Sequence, residues 1–190
     1  MKTLEEKILK EGKILPGNIV KVGDFLNQQM DVPFLMEMGR EVAEKFRGET
    51  ITKVLTVESS GIAIAVAVAS AMGTKAVFAK KGLSSNVSGD VYSADVYSYT
   101  HQKNNTIFVS CDYITKDDRV LIVDDFLAVG NAVAGLEKIV HDAGATLVGV
   151  AAAIEKGFQG GGDALRNRGI HVESLAIVES IGDGTIQFRK

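Results

Sequence analysis

The stretch Val120-Leu121-Ile122-Val123-Asp124-Asp125-Phe126-Leu127-Ala128-Val129-Gly130-Asn131-Ala132 limits what this chain can fold into more than any other. Four consecutive apolar residues leave no polar face, which suits a strand buried on both sides inside a parallel sheet covered by helices. Two adjacent carboxylates end the strand, and small residues then open a helix predicted over residues 131–143. Free amides at such a helix start, reinforced by the helix dipole, form a site for an anion such as a phosphate. Gly130 permits close backbone approach, and Ala128 and Ala132 leave room for the group. Asp124 and Asp125 would repel that anion on contact. The conflict eases if they accept hydrogen bonds from sugar hydroxyls, where they would also stabilise positive charge developing on a sugar ring as its glycosidic bond breaks. An acid pair at a strand end can equally cap the next turn, and the motif alone leaves both readings open.

The rest of the chain places this motif in an alternating pattern. Strands are predicted at residues 53–57, 76–79, 106–110, 119–123, 147–154 and 172–178, with the clearest helices among them at 62–71 and 131–143. Upstream lie a charged helix at 3–11, a turn at Pro16-Gly17, a short strand near 18–22 and a helix at 33–46, whose Leu35, Met38, Val42 and Phe46 share one face. Strand and helix in alternation imply an α/β fold with an open, mostly parallel sheet flanked by helices and ligands at the carboxyl ends of the strands. The loops after Val57, Val123 and Ile154 are therefore where chemistry is expected. Residues 82–105 break the alternation and read either as a β-hairpin insertion or as a lid over the active site. Gly160-Gly161-Gly162 reads as a flexible loop, and no Gly-x-Gly-x-x-Gly follows the first strand, which disfavours a Rossmann dinucleotide binder.

Composition excludes several classes. At 190 residues the chain fits a single domain with a full core, and 46% hydrophobic with 24% charged residues argues against disorder. A net charge of -3 provides no basic surface for nucleic acid. Cys111 is the sole cysteine, so no intrachain disulfide or thiolate metal cluster can form, and a reducing, cytoplasmic setting is expected. The first residues lack a signal-peptide pattern, and the apolar run 62–72 is about half of the ~20 residues a membrane span needs. His101, His141 and His171 are too scattered to suggest a metal site.

The acid-and-glycine segment resembles the phosphoribosyl-diphosphate signature of type I phosphoribosyltransferases. The Val20–Asn27 region, Val57-Glu58-Ser59-Ser60-Gly61-Ile62-Ala63, Phe78-Ala79-Lys80-Lys81 and Ile154-Glu155-Lys156-Gly157-Phe158 extend the likeness over essentially the whole chain, to the bacterial xanthine-specific branch. Where many type I enzymes carry loop hydroxyls, this chain has Ala128 and Ala132, as that branch does; Val129 stands where the branch usually has Asn.

The resemblance implies a single phosphoribosyltransferase domain over residues 1–190, with 1–35 contributing a hood over the base and the hairpin acting as lid. It implies purine salvage, moving ribose 5-phosphate from phosphoribosyl diphosphate to N9 of xanthine. On the same ground Ala128, Val129, Gly130, Asn131 and Ala132 hold the 5-phosphate, and Asp124 and Asp125 take the ribose hydroxyls. Glu58, Ser59, Ser60 and Gly61 form the diphosphate loop, and Lys81 adds positive charge there from its own or a neighbouring subunit. Val20, Asn27, Lys156 and Phe126 would bind the base, with Phe158 a further stacking candidate. An ammonium at Lys156 suits an oxo-purine better than adenine, and Asn27 could read a second carbonyl. Mg²⁺ would be held mainly by the diphosphate rather than by a protein metal site, and a homodimer is implied. Two alternatives remain: an enzyme for another purine (adenine, or guanine and hypoxanthine), and a phosphoribosyl-diphosphate-sensing regulator, for which the chain lacks an added basic module.

Overall fold

The computed structural model describes residues 1–82, 89–98, 103–182 and 185–190. The chain runs α1 (Lys2–Glu11), β1 (Lys13–Leu15), β2 (Ile19–Lys21), a π-helical turn (Gly23–Asn27), α2 (Val32–Lys45), β3 (Lys53–Val57), α3 (Gly61–Met72) and β4 (Lys75–Ala79). It continues through β5 (Val91–Ser98), β6 (Lys103–Ser110), β7 (Arg119–Leu127), α4 (Asn131–Asp142), β8 (Thr146–Lys156), a 3₁₀ turn (Gly157–Gln159), α5 (Gly161–Asn167), β9 (Val172–Gly182) and β10 (Thr185–Phe188).

Six strands form the main sheet in the order β10-β9-β8-β7-β3-β4, parallel except for the antiparallel edge strand β10. After β4 the chain crosses to the other side of β3 and builds β7, β8 and β9 outward. β3 and β7 are thus the switch point where an open α/β sheet leaves a crevice at its carboxyl edge. Strand alternation divides the core between two faces. Leu121 and Val123 join α1, α2, α3 and the N-terminal segment in one cluster; Val120 and Ile122 join α4, α5 and the β5–β6 ribbon in the other. Gly39 lets α2 and α3 approach backbone to backbone, since a Cβ there would strike the carbonyl of Ala67. Asp31 caps α2 by accepting the Phe34 amide at 3.2 Å, with Pro33 in the first turn.

The expected α/β architecture is present, with several differences in extent. β7 runs on to Leu127, so both acids lie within the strand instead of after it. The strand expected near 18–22 pairs with β1 in a hairpin, and the run at 106–110 belongs to the separate β5–β6 ribbon, not the main sheet. Gly161 and Gly162 are buried and open α5, so the glycine run is no flexible loop. The described part of the 82–105 insertion packs along α4, with Val96 against the position of a Gly135 Cβ and Asn131 bonded to the Tyr97 carbonyl at 3.0 Å. The β5–β6 ribbon contributes Ala94, Ile107 and Val109 to the second core. Residues 83–88 and 99–102, on which the lid expectation partly falls, lie outside the described residues.

Candidate active site

The carboxyl ends of β3 and β7 bring two turns together. At β7, Gly130 adopts a left-handed conformation (φ +92°) and caps α4, with the Ala134 amide bonding its carbonyl at 2.8 Å. First-turn amides ahead of Ala134 have no carbonyl within the helix, and apart from Asn131 the loop beside them carries only the apolar side chains of Ala128, Val129 and Ala132. A phosphate here would be held by backbone N–H groups and the helix dipole. Asn131 can contribute its amide but not a free side chain, which is committed to Tyr97.

The acid pair divides its duties. Asp124 and Asp125 are both buried, 7% and 5% exposed. Asp124 accepts the Asp125 amide at 2.9 Å. Burial first, and then the adjacent Asp125 charge, push the Asp124 carboxyl well above the usual carboxylate range, with the Lys81 ammonium pulling the other way. Asp125 instead joins three segments: its Oδ2 accepts from the Asn27 side chain at 2.9 Å and its Oδ1 from the Ser60 hydroxyl at 3.0 Å.

After β3 the chain turns through Glu58–Gly61, with a cis peptide between Glu58 and Ser59. Glu58 receives the Lys81 amide at 2.6 Å, which locks the turn to the end of β4. Ser59 is exposed at the tip, while Gly61 is buried under the acids: a Cβ there would meet the Thr56 hydroxyl and lie 2.9 Å from Asp124 Oδ1. Lys81 is exposed and its charge acts on Asp124 of its own chain.

On the far side of the crevice, Lys156 ends β8 with its Nζ 5.7 Å from the centre of the Phe126 ring. Burial alone lowers its pKa, and among the described residues its ammonium has that ring but no carboxylate partner. Phe158 is partly exposed on the following turn. Asn27 ends the π-helical turn opposite. The N-terminal segment that carries it is fastened by Lys7, which bonds Asp31 at 2.9 Å and Glu11 at 3.2 Å and lies over the rings of Phe25 and Phe34 at 5.4 and 5.1 Å.

The structure therefore brings together Asn27, Ser60, Gly61, Lys81, Asp124 and Asp125, with Phe126 and Lys156 stacked on each other beside them. Val20 is 5% exposed and packs in the core with Val22, Phe25 and Leu26, where it supports the N-terminal segment. Sequence reasoning missed the function of Gly161, whose amide donates to Ala128 at 3.1 Å and whose missing Cβ would strike the Ala128 carbonyl and lie 2.9 Å from the Gly130 nitrogen. It also missed Thr56, whose buried hydroxyl has no hydrogen-bond partner among the described residues. A polar residue in an otherwise apolar run was the available signal for Thr56, and three consecutive glycines were the signal for Gly161. Among the described residues no group of three or more His, Cys, Asp or Glu is arranged to hold a metal ion.

Residues 31–169 match the family described as "Phosphoribosyl transferase domain". The chain is 53% identical over its full length to xanthine phosphoribosyltransferase of Bifidobacterium adolescentis, covering all of that protein. It is 50% identical to the protein of the same name in Bacillus thuringiensis, over 99% of this chain and 95% of the other. Among solved structures, an adenine phosphoribosyltransferase from Giardia lamblia with 9-deazaadenine superposes with a TM-score of 0.78 at 24% identity, over 93% of this chain and 98% of that one. The adenine enzyme of Trypanosoma brucei superposes at 0.76 and 21% identity, over 95% and 81%. These two likenesses establish the shared fold.

Proposed function

The chain belongs to the phosphoribosyltransferase family, and from that premise we propose that it transfers ribose 5-phosphate from phosphoribosyl diphosphate to N9 of xanthine, giving XMP and diphosphate. The observation that carries this reading is the meeting, at one sheet switch point, of a helix-start anion loop, a buried acid pair and an ammonium without a counter-carboxylate among the described residues. The substrate choice rests on the full-length relatives and on Lys156, which can donate to a purine carbonyl but not pair with the amine of adenine.

In this reading the amides of residues 128–132 seat the 5-phosphate and Asp124 and Asp125 hold the ribose hydroxyls. The Glu58–Gly61 turn and Lys81 receive the diphosphate. Asn27 keeps one side-chain N–H and its carbonyl for the second oxo-group edge of xanthine, while Asp125 holds the amide in place. Residues 1–35 form the hood over the base. The acid pair stabilises the cationic character that develops on the ribose as diphosphate leaves, and N9 attacks the anomeric carbon from the opposite face. No protein nucleophile is required.

The donor set fits Mg²⁺ only as a companion of the diphosphate, because Asp125 is engaged with Asn27 and Ser60, Glu58 with the Lys81 amide and Asp124 with the Asp125 amide. When bound there it supplies charge neutralisation of the leaving group. Setting and assembly belong to the same proposal: a cytoplasmic enzyme working as a homodimer. α3 is apolar on all sides yet leaves Val66 53% exposed, and β4 beside it leaves Phe78 41% exposed, a surface suited to a second copy. No described helix is long and apolar enough to cross a membrane.

Chromatography of a reaction with xanthine, phosphoribosyl diphosphate and Mg²⁺ tests the proposal. Equal amounts of XMP and diphosphate are expected, and diphosphate without XMP would reject it.

A further inference from the structure

Beneath the turn that follows Lys156 lies a chain of ion pairs that the transfer reaction itself does not use. Glu155 is fully buried and takes a two-pronged contact from Arg166 at 2.9 and 2.7 Å, with the Ser174 hydroxyl at 2.5 Å. Arg166 also reaches Asp163 at 3.2 Å. Asp163 in turn receives both terminal nitrogens of Arg189, at 2.7 and 3.0 Å, and the Nε of Arg189 bonds Glu179 at 2.6 Å. The pairing favours the charged forms on each side: Arg189 holds the Asp163 carboxyl below its usual range, and Glu155 and Asp163 raise Arg166 and Arg189 respectively.

The position of Arg189 gives this network a purpose. Its backbone amide bonds Ile177 at 2.9 Å, just beyond the end of β10. Lys156 pairs in register with Val178, so Arg189 lies against the two residues, Ile177 and Glu179, that flank the partner of the lysine. A Cβ added at Gly157 would come within 3.0 Å of Arg189 Nη2 and of the Ile177 side chain, and within 3.2 Å of Glu179. The guanidinium therefore forms the floor of the Lys156-Gly157 turn and ties it to α5 through Asp163. Arginine suits this task because one planar fork meets carboxylates on two elements at fixed angles, which an ammonium cannot do.

We infer that Arg189, near the carboxyl end of the chain, is a positioning residue for base recognition: clamped between Asp163 and Glu179, it fixes the turn that aims Lys156 and Phe158. It touches neither the phosphate loop nor the acid pair. Its removal loosens the reading of the base and leaves donor binding alone. A loosely held recognition group costs affinity steeply, because misplacement by a fraction of a bond length weakens a directional hydrogen bond.

This inference rests on the base site proposed at Lys156, and the test separates the two. Steady-state kinetics and melting temperature are measured for Arg189→Met, Arg189→Lys and Lys156→Met. Arg189→Met is expected to raise KM for xanthine roughly tenfold, with KM for phosphoribosyl diphosphate and kcat unchanged, and Arg189→Lys to fall between it and the parent. If Lys156→Met raises KM for xanthine but Arg189→Met does not, the clamp is overturned and the base site stands. If Lys156→Met leaves that KM unchanged, the base site fails and the clamp with it. An Arg189→Met effect spread equally over both substrates and matched by a loss of melting temperature would reduce Arg189 to a structural residue. Should Arg189→Met not fold, Arg189→Lys is judged by the same split.

Discussion

Asn27 donates its side-chain amide to Asp125 at 2.9 Å, joining the π-helical turn of the N-terminal segment to the acid pair. The same carboxylate receives Ser60 at 3.0 Å from the turn after β3. One residue thereby ties together the N-terminal segment, β7 and the turn after β3.

In the proposed reading, Asn27→Ala removes the tether between the N-terminal segment and Asp125 together with one reader of the second oxo group. We expect KM for xanthine to rise by about 1–3 kcal/mol in binding terms, while hypoxanthine, which lacks that group, loses much less. The ratio of kcat/KM for the two bases measures this. An unchanged ratio would remove Asn27 from base recognition.

Asp125→Asn keeps the shape but puts an amide NH2 in place of one of the two oxygens that accept from Asn27 and Ser60, and it removes the charge that faces the developing cation. A kcat reduced on the order of 10²–10³ is expected from the loss of one such electrostatic contact, with the fold retained by circular dichroism. Near-normal turnover would take Asp125 out of the site.

Asp124 predicts a pH dependence of stability. Its carboxyl is raised in the folded state by burial and by Asp125. At acid pH folded and unfolded chains both carry the proton, and it costs nothing. As pH rises through the ordinary value of 3.8, the unfolded chain ionises first, and stability falls until the folded carboxyl ionises too. Asp124→Asn lacks this loss, so its urea midpoint should exceed that of the parent increasingly from acid towards neutral pH. A difference independent of pH would contradict the assignment.

Gly161→Ala places a methyl group against the Ala128 carbonyl and the Gly130 nitrogen. Backbone cannot yield as a flexible side chain does, so a cost of about 1–3 kcal/mol is expected, together with a raised KM for phosphoribosyl diphosphate from the displaced loop. Thr56→Val, by contrast, replaces a buried hydroxyl that has no partner among the described residues by a methyl of similar shape and should stabilise the protein by about 1 kcal/mol. Thermal unfolding of the two variants should move in opposite directions.

The parts of this molecule that were readable from sequence are those fixed by local rules. The doubly apolar run Val120–Val123 required a covered parallel strand, and the small residues after it required a helix start; both are present. Ser60 and Asp125 could be named separately, but their contact depends on the chain crossing back over β3, which no local pattern encodes. Gly161 was misread because a glycine needed for close approach looks the same as one that gives flexibility. Val20 packs in the core beside the N-terminal segment, a placement set by tertiary packing and not by any local pattern. The pairing of Arg189 with Asp163 and Glu179 brings together residues from α5, β9 and the chain end, and charge patterning could not reveal it.

The central claim is transfer to xanthine, and diphosphate release measured with xanthine, guanine, hypoxanthine, adenine or uracil in turn tests it most directly. A kcat/KM for xanthine well above that for every other base is the predicted result. Preference for any other base would contradict the account of Asn27 and Lys156, and no release with any base would contradict the proposed activity itself.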